Sequence, residues 1–94
     1  MSDTFATISI SQQNQQNQIH CQGSWTLRGI DEKSLDLSFA KINRLRGSLL
    51  ILDANAITQM DSSGAWQLYQ WQKQLGRPGR EVQLTGLSAK YSAL

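Results

Sequence analysis

Polar and apolar residues alternate along Thr7-Ile8-Ser9-Ile10-Ser11, a period of two that predicts a half-buried strand. A second alternation runs from Ile19 to Leu27. It places Ile19, Cys21, Gly23, Trp25 and Leu27 on one face and His20, Gln22, Ser24 and Thr26 on the other. The Gln/Asn-rich patch between them, Ser11 to Gln18, reads as a hairpin turn. Gly29 breaks the second strand, and Asp31 can cap a helix in which Leu35, Phe39, Ile42 and Leu45 form one apolar stripe, ending near Gly47. Leu49-Leu50-Ile51-Leu52 has no alternation, which predicts an interior strand covered on both faces. A short polar loop through Asp53 and Asn55, with Ile57 and Met60, then leads to Asp61-Ser62-Ser63-Gly64. A second helix is expected from Ser62 to Leu75, stopped by Gly76-Arg77-Pro78-Gly79. Val82 and Leu84 mark a further strand, and Leu87 to Leu94 read as the opening of a third helix.

Strands alternating with helices predict an α/β domain with a four- to five-stranded, mostly parallel sheet, an N-terminal β-hairpin, and helices packed on it. Residues 1–94 make one domain, and the unfinished last helix suggests that it is cut from the N-terminal part of a longer protein. Composition narrows the function. Nine Lys and Arg against seven Asp and Glu leave a net charge of +2 with no basic run, which argues against nucleic-acid binding. The single cysteine excludes an internal disulfide, and the adjacent His20 and Cys21 cannot form a four-ligand zinc site. No cofactor or metal is expected. The longest apolar run, Leu49 to Leu52, is too short to cross a membrane, and no secretory leader is visible. A cytoplasmic setting follows, with no membrane insertion of this segment.

Candidate chemistry centres on Asp61-Ser62-Ser63-Gly64. Asp61 or a serine hydroxyl can cap the free amides of the first helical turn, and Gly64 permits close backbone approach. A serine at this place is also a possible phosphate acceptor, favoured by the helix N-terminus and opposed by the Asp61 carboxylate.

In context, ILDANAITQMDSSGAWQLYQWQKQL resembles the signature of the STAS domain, the family of sulphate transporters and anti-sigma factor antagonists. The matching positions are Leu49 to Asp53, Ile57, Met60 and Asp61 to Gly64. The resemblance covers roughly residues 4 to 94 with the hairpin and the order of elements included. It implies a regulatory binding module without a catalytic centre, whose regulatory loop comprises Asp53, Asp61, Ser62, Ser63 and Gly64. Ser63 matches the serine phosphorylated in the antagonists. Ser62 matches the Ser/Thr that follows the Asp in the transporter-associated branch. The antagonists usually continue Gly-Leu-Gly after the serines, whereas this chain reads Gly64-Ala65-Trp66. The wording GSWTLRGI, DSSGAW and VQLTGLSAKYSAL is closer to the STAS segment fused to Mla-type ABC transporter permeases, which act in lipid asymmetry and solvent tolerance. The resemblance thus implies an ABC-type phospholipid transporter, with its ATPase subunit and the attached permease as partners and an inner-membrane tether. The alternative is an anti-sigma factor antagonist with a serine kinase as partner.

Projection of the second helix at 100° per residue puts Gly64, Leu68, Trp71 and Leu75 on the buried stripe, flanked by Ala65. Trp66 falls nearly opposite, beside Gln70 and Lys73 with Tyr69 at the shoulder, and these four residues form the candidate partner-binding face. Trp25 and Trp71 read as core, and Cys21 as a small core hydrophobe. The enzyme alternative would combine Ser62 or Ser63 with Asp53 and Asp61, but the only histidine, His20, lies on the solvent side of a strand. No enzymatic activity is expected.

Overall fold

The computed structural model describes residues 5–13 and 16–87. In chain order the elements are β1 (Thr7–Gln13), β2 (Gln16–Trp25), α1 (Glu32–Asn43), β3 (Leu49–Met60), α2 (Ser62–Leu75) and β4 (Glu81–Thr85). The strands form a single sheet in the order β1-β2-β3-β4. β1 pairs antiparallel with β2, while β2–β3 and β3–β4 pair in parallel. The α/β class expected from the sequence is present. The sheet is mixed rather than mostly parallel, because the N-terminal hairpin adds an antiparallel strand at its edge. The expected third helix falls on residues 88–94, outside the described residues.

The hairpin is longer than the alternation predicts. Strand pairing runs into the Gln-rich patch as far as Gln13 opposite Gln16. Gln12 and Gln16 are exposed there, whereas Asn17 is buried and donates from Nδ2 to the Arg46 carbonyl at 2.7 Å.

Both helices lie on one face of the sheet and share one core with it. Leu35 and Ile42 of α1 and Leu68, Trp71 and Leu75 of α2 close over Ile19, Cys21, Trp25, Leu50 and Leu52. Consequently β3 is interior to the sheet but not covered on both faces. Leu50 and Leu52 are buried, whereas Leu49 and Ile51 are half-buried on the opposite face. That opposite face carries Ser9, Ser11, Gln18, His20, Asp53, Gln83 and Thr85, by strand alternation and register. The uninterrupted Leu-Leu-Ile-Leu run thus marks a central strand with one buried and one half-buried face rather than two covering layers.

Two register shifts between β2 and β3, around Cys21 and between Gly23 and Ser24, carry the end of β2 inward. There Gly23, Ser24 and Trp25 are buried in succession. Trp25 is wholly buried, meets Trp71 edge-on at 5.8 Å, and donates from Nε1 to the Gln22 carbonyl at 3.0 Å. Phe39 packs on the other side of Trp71 at 5.9 Å. Cys21 is a core residue as expected. Burial, with the negative charge of Asp53 adding, pushes its thiol up to about 12, so it stays protonated.

The far end of the sheet is tied by Arg80, a buried guanidinium that the sequence pattern does not reveal. Its Nε donates to the Leu75 carbonyl at 2.9 Å, and its Nη atoms donate to the Asn43 carbonyl and side-chain oxygen at 3.2 and 2.7 Å. The carbonyls left without helical partners where α1 and α2 end are thereby satisfied by one side chain. α1 stops at Asn43, a turn earlier than Gly47, since Arg44 and Leu45 turn back onto the Lys41 and Ile42 carbonyls.

Candidate functional site

The candidate site sits where β2 and β3, running parallel, reach their carboxyl ends side by side. β3 ends at Met60, and α2 opens at once with Asp61 as its N-cap. Asp61 Oδ1 accepts from the Ser63 and Gly64 amides at 2.9 and 3.1 Å, and Oδ2 accepts from the Leu27 amide at 3.0 Å. Its own N–H donates to the Trp25 carbonyl at 3.3 Å. One carboxylate thus caps α2 and fixes the turn that follows β2.

Gly64 is buried against the same strand end. A Cβ built there would overlap the Trp25 carbonyl, which accounts for the glycine. Gly29 is held in the same way against the Ser24 carbonyl. The two glycines let the α2 opening and the β2–α1 turn close on one strand end.

The Leu27 amide does most to hold the Asp61 carboxyl below the usual carboxylate range. Desolvation is the next largest effect and opposes it, and the Gly64 and Ser63 amides each add a smaller lowering. A lowered value in the folded state means that this stabilisation is complete above about pH 4 and is lost as pH falls through the folded-state value. Asp61→Ala is expected to cost about 2 kcal/mol near neutral pH, through loss of the cap and of the Leu27 bond. Urea unfolding of both proteins checks this, and the gap should shrink below about pH 3.

Ser62 is exposed and Ser63 half-buried. Ser63 lines a groove of about 220 Å³ with Leu27, Ile30, Glu32, Trp66 and Gln67. The indole of Trp66 forms its outer wall and also borders a shallower depression with Ser62, Ala65 and Tyr69. Trp66 is 60% exposed, Leu27 75% and Tyr69 49%, so a large apolar surface surrounds the serine turn. The rings of Trp66 and Tyr69 lie 5.8 Å apart, and Lys73 Nζ sits 5.3 Å from the Tyr69 ring centre. Gln70 is half-buried and sits at the flank. Gly64, Leu68, Trp71 and Leu75 are the buried stripe of α2, as the projection predicts.

Two sequence expectations change. Leu27 belongs not to the core face of β2 but to the exposed turn beyond it, where it joins Trp66; strand alternation assigns it inward because the pattern does not mark where β2 ends. Asp53 does not belong to the regulatory loop. The expected loop is strand, because residues 54–60 continue β3 alongside β2, so Asp53 lies seven residues upstream of the strand's end. Its carboxylate instead meets His20 across the strands, Oδ2 to Nδ1 at 3.2 Å. His20 lies on the solvent side of β2 as expected, but it is half-buried and paired, and its Nε2 lies 3.4 Å from Ser11 Oγ. Sequence spacing does not connect Ser11, His20 and Asp53; only strand order does. Among the described residues no group of three or more His, Cys, Asp or Glu is placed to hold a metal ion. No described helix is long and apolar enough to cross a membrane.

No protein-family model matches this chain, and a search of curated proteins finds no match.

Proposed function

We propose that the chain is a regulatory interaction module whose docking role is non-enzymatic, the cytoplasmic STAS domain of an ABC-type phospholipid transporter permease. Its α2 opening docks the transporter's ATPase subunit, and the permease it belongs to tethers it at the inner membrane. The observation that carries this reading is the exposed indole of Trp66. It borders Leu27, Tyr69 and the serine turn, where strand ends of the sheet, a capped helix and an apolar groove converge. The Asp-Ser-Ser-Gly-Ala-Trp wording supports the transporter branch of the resemblance, and the exposed apolar side chains around the serine turn fit a protein partner. Leu27 and Trp66 supply apolar anchors, Tyr69 and Lys73 a rim with polar ends, and Ser62, Ser63, Gln67 and Gln70 hydrogen-bonding groups between them.

A second reading, an anti-sigma factor antagonist acting with a serine kinase, is favoured by one feature. At the helix start Ser62 is exposed and Ser63 half-buried, and among the described residues neither hydroxyl carries a hydrogen bond. Phosphate on Ser63 would find the Ser63 and Gly64 amides already bonded to Asp61, with Glu32 across the groove. Added negative charge therefore weakens docking on electrostatic grounds.

Isothermal titration of the chain with the ATPase subunit encoded alongside it tests the proposal. Binding is expected, with Ser63→Glu weakening it about tenfold. Absence of binding, together with phosphorylation of Ser63 by a serine kinase from the same genome, decides for the antagonist.

A further inference from the structure

The sheet face turned away from the helices aligns three side chains from three adjacent strands. Asp53 of β3 stands opposite His20 of β2 in the parallel register, with Oδ2 3.2 Å from His20 Nδ1. Nε2 on the other side of the ring lies 3.4 Å from the Oγ of Ser11 on β1, one diagonal step away in the antiparallel ladder. An ionised carboxylate can only accept, so in the neutral ring the proton sits on Nδ1 and Nε2 is left to accept from the serine hydroxyl. The carboxylate is itself fixed, since Oδ1 accepts from the Asn55 amide at 3.0 Å. His20 and Asp53 are 31% and 22% exposed, which leaves the pair partly dehydrated and reachable from solvent.

A hydroxyl bonded to an imidazole whose far nitrogen is oriented by a held carboxylate is the arrangement that makes serine a nucleophile. It is recognised by geometry and roles, whatever the order in the chain. We propose that Ser11 is an activated nucleophile that takes an acyl group from small activated esters. The inference does not depend on the docking site, which lies beyond the far end of β3 and on α2, across the sheet.

Ser11 Oγ attacks the ester carbonyl carbon while its proton passes to His20 Nε2. The carbon–oxygen bond to the leaving group breaks, and His20 returns the proton to the departing oxygen. Water then attacks acyl-Ser11, losing a proton to His20. The carboxylic acid leaves and Ser11 regains its hydrogen, so no oxidant, metal or further reactant enters the balance. Asp53 does not touch the ester; it is a positioning residue that sets the ring tautomer and steadies the imidazolium. Ser11 is met on an open sheet face rather than in a closed cleft. Rapid acylation followed by slow deacylation is therefore expected, since enclosed oxyanion donors contribute much of the turnover of serine hydrolases.

The test treats the 94-residue chain with a fluorophosphonate probe and, separately, with p-nitrophenyl acetate. Intact mass and peptide mapping locate the adduct, and circular dichroism checks each variant's fold. One adduct per chain on Ser11 is expected. It should be lost in Ser11→Ala and form about a hundredfold more slowly in His20→Gln. Asp53→Asn should also slow it, because an amide that donates to Nδ1 favours the wrong tautomer. Ser9→Ala, which removes the serine directly opposite His20 in the ladder, should label at the wild-type rate. No adduct, an adduct on another residue, or a His20→Gln rate equal to wild type would overturn the proposal and leave the three residues as a polar cross-strand ladder. A folded Ser11→Ala that still labels does the same.

Discussion

Gly64→Ala should destabilise the protein by about 3 kcal/mol or more, although the substitution replaces glycine by the best helix former near the start of a helix. On a solvent-facing helix position the same change stabilises by up to about 1 kcal/mol, so the sign of the effect reports the geometry. At Gly64 the new methyl would overlap the Trp25 carbonyl, with the carbonyl carbon and the Trp25 Cβ close behind. None of these atoms can give way. Trp25 is completely buried, its indole is fixed edge-on against Trp71, and its carbonyl already receives the Asp61 amide. Relief therefore requires α2 to lift from the sheet, which loosens Leu68, Trp71 and Leu75 together. A midpoint lower by roughly 12 °C or more, or failure to fold, is expected in thermal unfolding. A midpoint equal to or above wild type would show that α2 does not begin in contact with β2.

The part of the fold governed by local chemistry is legible in the sequence. The limits and buried stripe of α2 follow from Asp61, the 3.6-residue spacing of Leu68, Trp71 and Leu75, and the Gly76-Pro78 stop, and the structure places them accordingly. Asp31 caps α1 through the Lys33 amide as its position suggests. What depends on pairing between distant strands is not legible. β3 continues past Asp53 because β2 lies beside it and absorbs the mismatch in two register shifts, and nothing within residues 54–60 shows that neighbour. Leu27 has the parity of a core residue but lies past the end of β2, so its exposure is a matter of where the strand stops. His20 meets Asp53 because β2 and β3 are adjacent and in that register; 33 residues separate the two in the chain. Arg80 is hidden for the same reason, since the carbonyls it satisfies come from the ends of two helices remote from each other in sequence.

At the proposed docking face the largest single effect is expected from Trp66→Ala. The side chain is 60% exposed and contributes little to the core, so its truncation should change folding stability by no more than about 0.5 kcal/mol. The indole nevertheless forms the wall common to the Ser63 groove and the Ser62–Tyr69 depression, so its loss flattens both. Aromatic anchors of this kind, central and ringed by smaller contacts, typically account for 2 kcal/mol or more of an interface, about thirtyfold in affinity. Loss of the neighbouring Lys73 ammonium, which sits over Tyr69 at the rim, should matter much less.

Parallel titration of wild type and Trp66→Ala with the proposed ATPase partner is the most direct measurement, with unfolding midpoints recorded on the same samples. An affinity about thirtyfold weaker at an unchanged midpoint is the expected result. Equal affinities for the two proteins would contradict the account, because the partner would then be binding elsewhere on the molecule.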